Sequence, residues 1–219
     1  METIIVTGSN GFLGCYLCRL FLEKGLKVIG VEDKRDKYGT EMQNMLLGRN
    51  SNFISKKGLE SVDMKKGAAI HVSFDKLPND LPEAEYVIES ILKAEQMKSP
   101  LFIYLPLSLP ERMSEQILSW KEKLNPFESV KWIHIGETYG PGNPSFPVEQ
   151  LENTSDVLAE TIYIEDLLFS LEEIWRMDES AVVAVSEAVR KESEAMENKA
   201  FEEGTAFYGV PVNTTVEEG

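Results

Sequence analysis

The chain has 219 residues, enough for one well-buried domain with a small addition. Its net charge of −15, from 37 acidic and 22 basic residues, leaves nothing to displace phosphate counterions and excludes nucleic acid as a partner. No apolar run approaches a membrane span, and the first one lacks the basic flank of a secretory signal, so a cytoplasmic protein without a membrane partner is expected.

The charge is unevenly placed. Residues 1–140 carry 19 acids and 18 bases, whereas residues 141–219 carry 18 acids and 4 bases. The first part is electrically balanced. The second presents a solvated acidic surface, which serves solubility or meets a basic surface on a protein partner.

The chain opens on Ile4-Ile5-Val6, a short apolar run that reads as a buried parallel strand. It stops at Gly8, and Gly11 and Gly14 follow at three-residue spacing. Phe12, Leu13, Tyr16, Leu17, Leu20 and Phe21 then recur at helical period until Gly25. A second apolar run, Val28-Ile29-Gly30-Val31, ends on Glu32 and Asp33. Strand, glycine turn, helix, strand and acid is the order a dinucleotide site requires. Gly8 supplies the tight turn, Gly11 lets a pyrophosphate approach the backbone, and Gly14 lets the helix pack closely. The N–H groups of the helix start face the phosphates. Glu32, at the tip of the second strand, is placed to accept the ribose hydroxyls. Cys15 and Cys18 form a C-x-x-C pattern within this helix, where small core residues are the favoured reading and a reduced protein follows.

Residues 34–49 are polar with a weak helical centre at Met42, Met45 and Leu46. Strands are expected at residues 52–55, 69–73, 101–105 and 130–135, with helices at residues 83–97 and 111–124 between them. His71 lies inside an apolar strand and reads as a packed core group. Beyond Gly142, residues 157–164 look strand-like, and Asp166 is expected to cap a helix carrying Leu167, Leu168, Leu171, Ile174 and Trp175. Residues 178–203 read as one acidic amphipathic helix with Ala181, Val182, Val185, Ala188 and Val189 inward, and residues 204–219 as a short strand or docked tail. No metal-ligand spacing occurs.

The run from Thr7 to Gly14, Thr-Gly-x-x-Gly-Phe-Leu-Gly, resembles the extended short-chain dehydrogenase/reductases, the NAD-dependent epimerase/dehydratase family. Residues 67–74, 101–105, 132–142 and 162–167 are similar to later strands and loops of that family, so the resemblance covers roughly residues 3–176. It implies an α/β, doubly wound parallel sheet of Rossmann type over residues 1–142, with a reduced, mostly helical acidic region over residues 143–219. It also implies a pyrophosphate held by Gly8, Ser9, Asn10, Gly11, Phe12, Leu13 and Gly14. Glu32 and Asp33 fall at the adenine ribose, and Val72 and Ser73 lie along the cofactor. Glu32 favours NAD by repelling a 2′-phosphate, while Lys34 and Arg35 leave NADP open. A homodimer through the helices at residues 83–97 and 111–124 follows by the same resemblance.

The family's reaction needs a tyrosine to exchange a proton and a lysine four residues on to lower its pKa. None of the seven tyrosines here is followed by lysine at that spacing. The corresponding positions fall near Leu107 and Glu111, and only Ser108 stands near the end of the fifth strand. Leucine cannot move a proton, and glutamate reverses the charge beside a ribose. With 77 residues beyond Gly142, the substrate lobe is also expected to be small. Three functions fit these residues. One is a dinucleotide-binding regulator or partner subunit with no standard catalytic residues. Another is an active oxidoreductase, epimerase or dehydratase with an atypical proton donor, Tyr104 or Tyr139. The third is an interaction protein with a vestigial nucleotide site.

Overall fold

The computed structural model describes residues 3–32, 39–62, 68–73, 90, 94, 96, 98–107, 130–143, 161–186 and 205–211. The fold is α/β, built on parallel strands of Rossmann type. The chain divides into two compact units, Met1–Leu105 with Leu109–Val130, and Pro106–Ser108 with Lys131–Gly219.

In the first unit, β1 (Thr3–Thr7) leads through α1 (Phe12–Glu23) to β2 (Lys27–Val31). Then come α2 (Gly39–Leu47), β3 (Phe53–Lys56), a single 3-10 turn at Leu59–Ser61, β4 (Ala69–Ser73) and β5 (Leu101–Pro106). The strands lie in the order β3-β2-β1-β4-β5, and every pairing is parallel. The order reverses between β1 and β4, so the C-terminal ends of these two strands open a crevice where ligands of such sheets bind. Ile4, Ile5 and Val6 are all buried, which explains a continuous apolar run rather than an alternating one. Apolar α1 is buried on all sides over its first two turns, from Phe12 to Cys18, and ends on Gly25 at φ +74°, where Gly25 N–H bonds Leu22 O and Leu26 N–H bonds Phe21 O. Ser90, Ala94 and Gln96 are helical; the rest of the helix expected at residues 83–97, and all of that at 111–124, lies outside the described residues.

The second unit contains β6 (Val130–Ile135), β7 (Thr138–Tyr139), β8 (Ile162–Tyr163), α3 (Ile164–Arg176), β9 (Ala181–Ser186) and β10 (Thr205–Val210). β9 pairs in parallel with β6 on one side and β10 on the other, while β7 pairs with β8. α3 turns Ile164, Leu167, Leu168, Leu171 and Ile174 inward. Its C-terminal end is closed by Lys131, whose Nζ donates to Ile174 O at 3.0 Å, Trp175 O at 3.3 Å and Met177 O. Burial pulls the Lys131 ammonium below the usual lysine range, against the opposing pull of Glu179 and Asp178.

Two expectations are corrected here. Residues 181–186 are a strand, not part of a helix spanning 178–203, so the described C-terminal region is not mostly helical. The run Ala-Val-Val-Ala-Val-Ser is rich in β-branched residues, and Val182, Val183 and Ala184 are all fully buried, as in a strand covered on both faces. A short apolar run of this kind does not separate strand from helix by period alone. Asp166 does not cap α3: Tyr163 is the N-cap, and Asp166 sits in the first turn, where its charge complements the helix dipole. Residues 205–210 take the strand option, and residues 187–204 lie outside the described residues.

Candidate functional site

The glycine turn joins β1 to α1 at the crevice. Gly8 has φ +73°, a conformation that L side chains rarely adopt, and a Cβ there would stand 2.5 Å from Ser73 O at the end of β4. A Cβ on Gly14 would stand 2.0 Å from Gly8 O, so α1 starts directly against the turn. Gly11 is the N-cap of α1, with extended backbone and no side-chain cap. Its N–H donates to Gly8 O at 2.9 Å, and its carbonyl accepts from Cys15 N–H at 2.9 Å, the first helical bond. Helix geometry therefore aims the N–H groups of Phe12, Leu13 and Gly14 along the axis toward the crevice, and no acid stands in the first turn to answer the positive end. The side chains of Phe12, Leu13 and Asn10 are buried.

Ser9 is held from two sides. Its N–H donates to Val31 O at 3.1 Å, and its Oγ accepts from Gln43 Nε2 of α2 at 3.1 Å. A Cβ on Gly30 would lie 2.7 Å from that Oγ and 2.8 Å from the Phe53 ring, so the glycine in β2 makes room for both. Glu32 follows β2 directly. Its N–H donates to Lys56 O at 2.9 Å, and its Oε1 accepts from Ser55 Oγ of β3. Asp33, Lys34 and Arg35 lie outside the described residues.

Val72 and Ser73 end β4, with Val72 in register between Thr7 and Ile103. Ser73 Oγ is buried without a hydrogen-bond partner among the described residues, beside the Gly8 turn. An orphaned buried hydroxyl next to a cradle that a Cβ would fill suits a polar ligand lying over the turn.

His71 and Tyr104 belong to the core. His71 Nδ1 and Tyr104 OH form a hydrogen bond of 2.7 Å, Phe102 stacks on the imidazole at 4.7 Å, and Phe21 packs at 4.7 Å. Burial lowers the His71 pKa to about 3, so the ring is neutral near pH 7. Cys15 and Cys18 are buried, unbridged thiols, and burial, reinforced by Cys15, pushes Cys18 up, away from a reactive thiolate.

In the second unit, Leu107, near the expected tyrosine position, donates its N–H to Ile135 O at 2.7 Å, while Ser108 and Glu111 lie outside the described residues. Tyr139 packs against Tyr163 with ring centroids 5.3 Å apart. Burial, then Asp166 and Tyr163, raise its phenol pKa, which makes it a weaker acid. Among the described residues no group of His, Cys, Asp and Glu is arranged to hold a metal, and no helix is long and apolar enough to cross a membrane.

Sequence reasoning did not find Gln43, Ser55 or the space that Gly30 leaves for Ser9 and Phe53. The glycine inside an apolar strand was the available signal, since such a residue marks close approach. Nothing in the linear pattern distinguishes Gln43 or Ser55 from solvent-facing polar residues.

Residues 4–88 match the model of the NAD dependent epimerase/dehydratase family. No curated protein matches the chain by sequence. Among solved structures, the chain is similar to TunA, an NAD-dependent NDP-hexosamine 5,6-dehydratase of tunicamycin biosynthesis, at 16% identity and TM-score 0.60, over 95% of this chain and 85% of that one. It is similar to a UDP-N-acetylglucosamine 4-epimerase from Bacillus cereus at 14% identity and TM-score 0.55, over 95% and 88% of the two chains. It is also similar to MoeE5, solved with UDP-glucose and NAD, at 13% identity and TM-score 0.57, over 96% and 86%. At these identities the structural likeness establishes the fold alone. The matched residues 4–88 carry the strand, glycine turn, helix and acid-tipped strand described above, so the likeness to the NAD dependent epimerase/dehydratase family is carried by that segment.

Proposed function

We propose that this chain binds NAD at the glycine turn and acts as a dinucleotide-dependent regulator or partner subunit, without the standard catalysis of its family. One contrast carries the reading: the turn keeps Gly8 and Gly14 where no side chain fits, yet Tyr-x-x-x-Lys occurs nowhere in the sequence. Gly8 to Gly14 hold the pyrophosphate, Glu32 takes the adenine ribose with Asp33 beside it, and Val72 and Ser73 lie along the cofactor. The Glu32 carboxylate favours NAD over NADP. When bound, NAD supplies a hydride acceptor, but hydride transfer needs a proton exchanged at the neighbouring oxygen. The two tyrosines considered for that exchange are poorly suited: Tyr104 is fully buried on His71, and Tyr139 is a weakened acid. The 18 acids and 4 bases of residues 141–219 support a basic protein partner. A cytoplasmic homodimer completes the reading.

The test is to incubate the purified protein with NAD and a panel of nucleotide sugars and small carbonyl compounds, following nicotinamide absorbance and product. Saturable NAD binding without turnover supports the proposal. Turnover abolished by Tyr139→Phe or Tyr104→Phe replaces it with an active enzyme using an atypical donor. No binding, together with a pull-down that depends on the acidic residues among 187–203 but not on Gly11, replaces it with an interaction protein.

A further inference from the structure

The end of β2 carries a contact that the glycine turn does not explain. β2 and β3 run parallel with Gly30 opposite Ser55 and Val31 opposite Lys56. Because successive side chains alternate, Ser55 and Glu32 lie diagonally on one face. Two bonds tie Glu32 to β3: its N–H donates to Lys56 O at 2.9 Å, and Ser55 Oγ–H donates to Glu32 Oε1. The first fixes the Glu32 backbone, and the second fixes the plane of its carboxylate.

We propose that Ser55 is a positioning residue that sets the preference for NAD over NADP by holding the Glu32 carboxylate. The proposal rests on the reading that Glu32 meets the adenine ribose. A glutamate at a strand tip has several rotamers, and only an oriented carboxylate accepts from the two vicinal hydroxyls together. With Oε1 taken by Ser55, Oε2 and the remaining lone pair of Oε1 face a fixed direction. The same fixed charge repels a 2′-phosphate. A mobile carboxylate would swing aside from that phosphate and discriminate less. Ser55 itself is exposed, so its hydroxyl acts through Glu32 and not through the core.

Calorimetric titration of NAD and NADP into the parent, Ser55→Ala and Ser55→Thr tests this. Ser55→Ala is expected to weaken NAD binding about three- to tenfold while leaving NADP unchanged or slightly tighter, so that the ratio of the two affinities shrinks. Ser55→Thr keeps the hydroxyl on a strand-compatible side chain and is expected to restore the parent ratio. A parent that prefers NAD, with the same ratio in Ser55→Ala, overturns this proposal alone. A parent that binds neither dinucleotide overturns the nucleotide reading and this proposal with it.

Discussion

In the first unit the turn after β1 closes because side chains are missing: Gly8, Gly14 and Gly30 each leave a space already taken by a carbonyl, a hydroxyl or a ring. In the second, α3 closes because a side chain is present: the buried Lys131 ammonium reaches three carbonyls at the helix end. The two solutions differ in how they respond to change. A steric gap against backbone tolerates no added atom, whereas a hydrogen-bonded cap is lost in degrees. The glycine-built region also lies where the strand order reverses between β1 and β4, the place where ligands of such sheets bind.

The sharpest way to break the first arrangement is Gly14→Ala. The new Cβ would meet Gly8 O at 2.0 Å, so α1 or the turn has to move. Overpacking against backbone is expected to cost on the order of 3 kcal/mol and to abolish nucleotide binding; denaturant unfolding and titration read the two effects. The same unit holds a pH-dependent element in His71. Its folded pKa of about 3 lies below the ordinary value of 6.5 because burial disfavours the charged ring. The stability this neutral ring contributes is full above about pH 6.5 and is lost as pH falls toward about 3. Between pH 6.5 and 4 the loss is on the order of 3 kcal/mol, and His71→Gln is expected to flatten that part of the stability–pH curve. An unchanged curve in the variant would place the acid sensitivity elsewhere. Lys131→Met keeps the apolar stem and removes the cap, with an expected loss of about 2 kcal/mol and no change in nucleotide affinity. A change in affinity would show that the two regions are coupled.

The part of the fold legible in the sequence is the part built on punctuation. Gly8, Gly11, Gly14 and Gly25, with the apolar runs between them, place β1, α1 and β2 without ambiguity, because glycine positions report backbone requirements directly. His71 was legible as a core residue from the apolar residues on either side of it. The strand β9 was not legible, since pairing with β6 and β10 decides its conformation and both partners are distant in sequence. Gln43 on Ser9 and Lys131 on α3 escaped for the same reason: each is a polar residue whose acceptor arrives only through the tertiary fold. In the candidate site, the glycines and Glu32 could be read, and the residues that brace them could not.

The central claim is a working dinucleotide site without standard catalysis, and calorimetric titration of NAD into the parent and Gly11→Asp tests it most directly. Gly11 has extended backbone at φ −78° and ψ 171°, which aspartate adopts readily at an N-cap, so the variant is expected to fold. Its carboxylate would stand where the pyrophosphate approaches. Micromolar binding by the parent, weakened on the order of a hundredfold in the variant, is the predicted result. Equal binding by both proteins, or none by the parent at millimolar NAD, would contradict it.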